Sequence, residues 1–241
     1  MKKIWILTKK ELQSFFDSLI AYILFIVFLG FSGFFTWLYG NDIFLRNQAD
    51  LQVFFAIAYW TLFFFVPALT MKMLAEENKT GTIELLLTKA ISDWQVVMGK
   101  FLACLLLVMI VLSLSLPYYF TVWRLGPIDH SAVFCGYLGL VLMSAAYISI
   151  GIFASSITSN QIVAFLLALF IGMFFHIIFE VMASSFTGTI GEIFSYLSLS
   201  THYDSISRGV IDTKDLIYFL SIIFTGLVLS EISIAKRNVI G

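Results

Sequence analysis

Histidine, carboxylate and thiol side chains are the groups from which an active or metal site would be built, and in this chain they are few and scattered. His176 and Glu180 stand four apart, a spacing that puts both on one face of a helix, so together they could share a proton or offer two ligands to a cation. Two ligands fall short of a metal site, which needs further groups from elsewhere, and an outer polar pair that simply stabilises its helix is the plainer reading. Cys104 and Cys135 lie in or beside apolar runs without metal-ligand spacing and read as core thiols. Ser113, Ser115, Ser155, Ser156, Ser184 and Ser185 occur in apolar or turn contexts with no matching His and Asp set, which suits packing and backbone hydrogen bonding. The phosphate loop GxxxxGK[ST] is missing, as are HExxH, GxSxG and CxxC. The chain therefore reads as a protein that is not an enzyme, with no catalytic, cofactor or metal residue to assign. Any work it performs draws its energy from elsewhere.

The elements that must position these groups are set by composition. Hydrophobic residues make up 60% of the 241, with 26 Phe, against an average apolar usage of roughly 45–50%. A soluble chain of this length could not cover so much apolar side chain, so part of its solvent is lipid. Runs of about 20 apolar residues can cross a hydrocarbon layer of roughly 30 Å, and six are found, at residues 19–39, 53–71, 96–122, 133–154, 162–179 and 216–234. The predicted class is an all-α integral membrane protein with six transmembrane helices in one domain over residues 1–241. The first run exceeds a signal-peptide core and ends without a small-residue cleavage pattern, so it is read as a retained span. A net charge of -1 argues against a generally basic nucleic-acid binder.

Charge sets the expected orientation. With both termini inside, Lys2, Lys3, Lys9, Lys10, Lys72, Lys79, Lys89, Lys100, Lys236 and Arg237 are cytoplasmic, against Arg46, Arg124, Arg208 and Lys214 outside, as the positive-inside rule favours. Lys100 is expected to snorkel toward the cytoplasm. Before the first span, Trp5, Leu12, Phe15 and Phe16 can share one stripe of an interfacial helix whose other face is charged. The largest inside connection is the polar island from Lys72 to Asp93, where Met73, Leu74, Ile83 and Leu85 to Leu87 recur among Glu76, Glu77, Lys79 and Glu84 with a rough helical period. Gly81 would divide it into two short amphipathic segments. Docking to a partner and resting on lipid headgroups fit this pattern equally. The outside connection, Glu180 to Asp215, is too polar to span and too rich in Phe, Ile, Leu and Tyr to be a free linker. One short helix over Ile190–Leu199 would let it cap the outer end of the bundle.

Four stretches carry a family resemblance: KELQSFFDSLIAYI at 10–23, MKMLAEENKTGTIELLLTKAISDWQVVMGKF at 71–101, GIFASSITSNQIVAFLLALFI at 151–171, and the sixth span with its basic tail. The second is the most specific, because E-x-x-x-G-T-x-E-x-L-L-[ST] stands here as Glu77, Gly81, Thr82, Glu84, Leu86, Leu87 and Thr88 between spans two and three. The chain resembles the permease subunit of type-2 ABC exporters, and within them the permease associated with bacterial gliding motility. Leu19 and Ala90 replace two prolines common in that family, which relaxes two local bends.

The resemblance implies that the N-terminal segment, with Trp5, Lys10, Glu11, Phe15 and Phe16, is the interfacial connecting helix. It makes the island a cytoplasmic coupling segment against an ATPase, carried by Leu74, Glu76, Glu77, Gly81, Thr82, Ile83, Glu84 and Leu86. The apolar members would contact the ATPase or the connecting helix, and the glutamates would set the joint at its solvent edge. The same likeness implies short outer re-entrant helices, a second permease subunit as homodimer or heterodimer, and ATP and Mg bound in partner ABC ATPase subunits. It places the chain in a bacterial inner membrane, surrounded by lipid. A noncatalytic membrane scaffold and an ion-coupled secondary transporter remain the alternative classes.

Overall fold

The computed structural model describes residues 2–39, 43, 48–81 and 91–240, and for 237–240 only the backbone helix. The described residues contain helices and turns but no strand. Six helical stretches are long and apolar enough to cross a membrane: Leu19–Trp37, Gln52–Thr80, Asp93–Leu125, His130–Ser156, Gln161–Ser185 and Thr213–Lys236. The protein is therefore an all-α, multi-pass membrane protein.

Helix α1 (Lys2–Asp17) stops where Ser18 turns extended, and the Ser18 hydroxyl donates to the Phe15 carbonyl at 2.9 Å. The first span, α2 (Leu19–Trp37), starts there. The second, α3 (Gln52–Thr70), runs into a short helix α4 (Ala75–Thr80). The third span begins at a capping box in which Ser92 and Gln95 satisfy each other's backbone N–H. It is expected to be continuous but divides into α5 (Asp93–Leu114) and α6 (Leu116–Leu125). At the division the Ser115 hydroxyl donates to the Leu112 carbonyl at 2.7 Å and lies 2.9 Å from the Tyr137 hydroxyl, and Pro117, which has no N–H to give, falls in the first turn of α6.

Asp129 caps the fourth span, α7 (His130–Ser156), by accepting from the amides of Ser131 and Ala132. Asn160 caps α8 (Gln161–Met173) in the same way. The fifth span continues through a π-helical turn, Phe174–Ile178, into α9 (Phe179–Ser185). The next connection folds as two short helices where one is expected, α10 (Thr189–Leu197) and α11 (Leu199–Ser207), because Ser198 turns extended and caps α11 by accepting from the Thr201 amide. The sixth span is α12 (Thr213–Ile240).

The fourth span is the centre of the bundle: 78% of its apolar window is buried, against 22% for the fifth. It packs on α3, α5, α8, α11 and, over the greatest length, α12. Its sequence explains this, since Gly136, Gly139, Ser144, Ala145, Ala146, Ser149, Gly151 and Ala154 let neighbouring helices approach closely. A Cβ added at Gly151 would stand 2.0 Å from Thr70 Oγ1. The Thr70 Cβ itself would lie 2.8 Å away, so turning the hydroxyl aside does not relieve the clash. Gly151→Ala is accordingly expected to destabilise the protein by about 1–3 kcal/mol, read as a lower unfolding temperature in lipid nanodiscs.

Candidate functional site

Helix α1, α4, the turn joining α7 to α8 and the last turns of α12 lie at one end of the bundle, and with them Lys10, Glu11, Phe15, Phe16, Leu74, Glu76 and Glu77. Helix α1 lies along the start of α5. The Thr8 hydroxyl is 2.9 Å from the Ile4 carbonyl and 3.2 Å from the Gly99 carbonyl. Leu7, Thr8 and Phe15 are buried, while Trp5 is 60% exposed. The expected stripe of Trp5 with Phe15 is thus divided between two faces, because at 3.6 residues per turn a ten-residue separation leaves them roughly 80° apart. Phe16 packs edge-on against Tyr22 and Phe25 of the first span. Lys10 stays exposed.

Beside this helix lies a buried ionic cluster that no local sequence pattern announces. The Lys100 ammonium donates to Glu77 Oε1 at 2.7 Å and lies 3.4 Å from Glu11 Oε1, and the lysine is 1% exposed. Lys100 is therefore not snorkelling to water, since α1, α4 and α5 close around it, while Glu77 keeps 17% of its side chain exposed. The lysine ties the three elements by charge. Lys72 adds a further tie between α1 and the α4 region, its ammonium 5.0 Å from the centre of the Phe15 ring, within reach of a cation–π attraction. A polar cavity of about 310 Å³ opens alongside, lined in part by Lys10, Glu11, Glu76 and Lys100.

Helix α4 has no side-chain cap of its own, and a serine of another span supplies one. Ser155 Oγ of α7 accepts from the amides of Leu74 and Ala75 at 3.0 and 2.9 Å, and donates to the Met71 carbonyl at 3.0 Å. Asn78 returns the contact by donating through Nδ2 to the carbonyls of Ser156 and Thr158 at 3.1–3.3 Å. Ser233 of the sixth span donates to the same Ser156 carbonyl. Leu74 is completely buried, so its apolar contacts are internal to the bundle. Glu76 and Lys79 are exposed. Gly81 ends α4 in the left-handed region at φ 69°, where a β-branched residue would be strained by roughly 1–2 kcal/mol. Thr82, Ile83, Glu84 and Leu86 lie outside the described residues.

At the opposite end, His176 and Glu180 form no hydrogen bond or ion pair with each other, and the π-helical turn begins two residues before the histidine. His176 turns inward, with Nδ1 against the Tyr147 hydroxyl and its ring stacked on Tyr59 and Phe63 at 4.2 and 4.5 Å between centroids, whereas Glu180 is exposed. Among the described residues no group of three or more His, Cys, Asp or Glu could hold a metal ion. Cys104 and Cys135 are buried free thiols.

Residues 42–230 match the sequence family described as ABC-2 family transporter protein, and this match covers more than half of the chain. The chain belongs to the ABC-2 transporter family. It is a membrane permease-type domain of that family. No curated protein matches it at a significant level. The matched range takes in α4, Lys100 and Ser155 but begins after α1 and the first span, so the permease's Glu11 is a partner to Lys100 from outside the family's matched core.

Proposed function

We propose that the permease is the membrane half of an ATP-driven exporter in a bacterial cytoplasmic membrane, with both termini inside. Two such subunits, identical or different, would stand on two cytoplasmic ABC ATPases that bind ATP and Mg, and the assembly would serve gliding motility. The coupling surface would comprise Glu76, Glu77, Gly81, Thr82, Ile83, Glu84 and Leu86, with Leu74 anchoring it from within. Trp5, Lys10, Glu11, Phe15 and Phe16 would form the connecting helix beside it, and α10 and α11 would close the outer end.

One observation carries this reading: α4 is bonded at once to α1, α5 and α7 through Glu77, Lys100 and Ser155, so it cannot be displaced without moving those helices. An ATPase that draws on its exposed Glu76 and Lys79 side would move the spans, which is the differential contact that a two-state switch requires.

Single cysteines at Lys79 and Glu192, both exposed positions, in a chain with Cys104 and Cys135 replaced, test orientation and docking together. A membrane-impermeant maleimide is expected to reach Glu192→Cys from outside and Lys79→Cys only from the cytoplasmic side. Adding the proposed partner ATPase should then shield Lys79→Cys. Labelling of Lys79→Cys from outside would overturn the orientation, and labelling unchanged by a bound ATPase would overturn the docking surface.

A further inference from the structure

A second polar cluster, at the end of the bundle opposite the joint, ties α10 and α11 to the sixth span. His202 of α11 places Nδ1 2.6 Å from Asp215 Oδ1 and Nε2 3.1 Å from the Tyr196 carbonyl oxygen. Its ring lies on Tyr218 with centroids 3.9 Å apart, and the Tyr218 hydroxyl donates to the Leu197 carbonyl at 2.5 Å. His202 and Asp215 are both buried. Asp215 and Tyr218 belong to the first turns of α12, while Tyr196 and Leu197 end α10. These contacts therefore clamp the α10–α11 corner at Ser198 onto the sixth span.

The chemistry of the two acceptors fixes how many protons the clamp needs. A carbonyl oxygen can only accept a hydrogen bond, and so can an ionised carboxylate. Both ring nitrogens of His202 face such groups, so both bonds form together only when the His–Asp pair holds one proton more than a neutral imidazole beside a carboxylate. Whether that proton sits nearer Nδ1 or Oδ1 leaves the count unchanged. Without it, a nitrogen lone pair faces a carboxylate or a carbonyl, one of the two bonds is lost, and the corner keeps only the other together with that of Tyr218.

Other ionisable groups at this end do not take over the contact. Glu180 of α9, Glu192 of α10, and Asp204 and Arg208 of α11 form no hydrogen bond or ion pair with His202, and Lys214 is held at the surface by Asp212 at 3.2 Å. Tyr203 packs against Tyr59 and His176 against Tyr147. We propose that His202 and Asp215 form a proton-dependent latch that keeps the α10–α11 pair closed on the sixth span and loosens it when the proton leaves.

Hydrogen exchange of residues 189–207 in the full-length permease, held in lipid nanodiscs and corrected for intrinsic rates, tests the latch at about pH 6.5 and about pH 9. Protection of the wild type is expected to fall at least about tenfold at the higher pH, as the loss of a buried bond requires. Asp215→Asn can donate its amide N–H to a neutral ring, so both bonds form without the extra proton and protection should stay the same at both pH values. His202→Gln should give weak protection at both, without a step. Equal protection of the wild type at the two pH values would overturn the proposal. So would a step of wild-type size in Asp215→Asn or His202→Gln, and the wild type together with either variant that folds decides the matter.

Discussion

Lys100→Met is expected to cost the permease about 3–5 kcal/mol of stability, because it removes one side of a buried ion pair and leaves the other uncompensated. Glu77 and Glu11 would then face a methionine and each other in the space that Lys100 now neutralises. The apolar replacement of the lysine and both its partners tells stability apart from transmission. Lys100→Met with Glu77→Leu and Glu11→Leu should recover most of the loss, since exchanging buried ionic groups for apolar ones is often close to neutral, but it still lacks the charge that ties α4 to α1 and α5. Thermal unfolding in nanodiscs reads the first effect, and ATP hydrolysis by the proposed partner ATPase reads the second. A Lys100→Met protein within about 0.5 kcal/mol of the wild type, the ordinary range for a surface substitution, would show that the cluster is not holding the joint.

The second large effect is expected at Ser155. Ser155→Ala would strand two backbone N–H groups and one carbonyl, those of Leu74, Ala75 and Met71, and each buried group left without a partner costs about 1–3 kcal/mol. A total of roughly 3 kcal/mol or more, concentrated on α4, should release that helix while the spans remain folded. Ser156→Ala is the natural control, because the Ser156 hydroxyl donates only to Phe153 of its own helix. Exchange of the amides in residues 71–80 should therefore rise sharply in Ser155→Ala and little in Ser156→Ala, with stimulated ATP hydrolysis falling in the first alone. Equal exchange in the two variants would remove Ser155 from the joint.

The six spans were legible in the sequence because a 20-residue apolar run has one common use in a chain of this composition. Their interruptions were not. Ser115 and Pro117 within an apolar run mark the break between α5 and α6, yet the same residues are tolerated in unbroken membrane helices. The π-helical turn has no composition signal at all, and four-residue spacing could not tell that His176 is buried while Glu180 is exposed.

The joint itself was half legible. Its acidic and glycine residues stood out against the apolar surroundings, and Gly81 does take the left-handed conformation that ends a helix. Its partners did not stand out, because Glu11, Glu77 and Lys100 come from three distant segments and only tertiary packing brings them together. Ser155 was equally hidden, since a serine in a membrane helix ordinarily bonds its own preceding turn. The one sequence signal for the cluster is the opposite charge of Lys100 and the two glutamates in stretches expected at the cytoplasmic face.

The fourth span contacts both ends of the molecule through fixed positions along one helix: Tyr137 and Gly139 near one end, Tyr147 and Ser149 midway, Ser155 and Ser156 at the other. On an α-helix each residue added or removed turns everything beyond it by about 100°. A substitution on this span disturbs one contact, whereas a single-residue insertion between Gly139 and Gly151 would swing Ser155 away from the amides of α4 while Tyr137 stayed in place. The span thus works as a reading frame for the rest of the bundle, and its length tolerates less change than any one of its side chains.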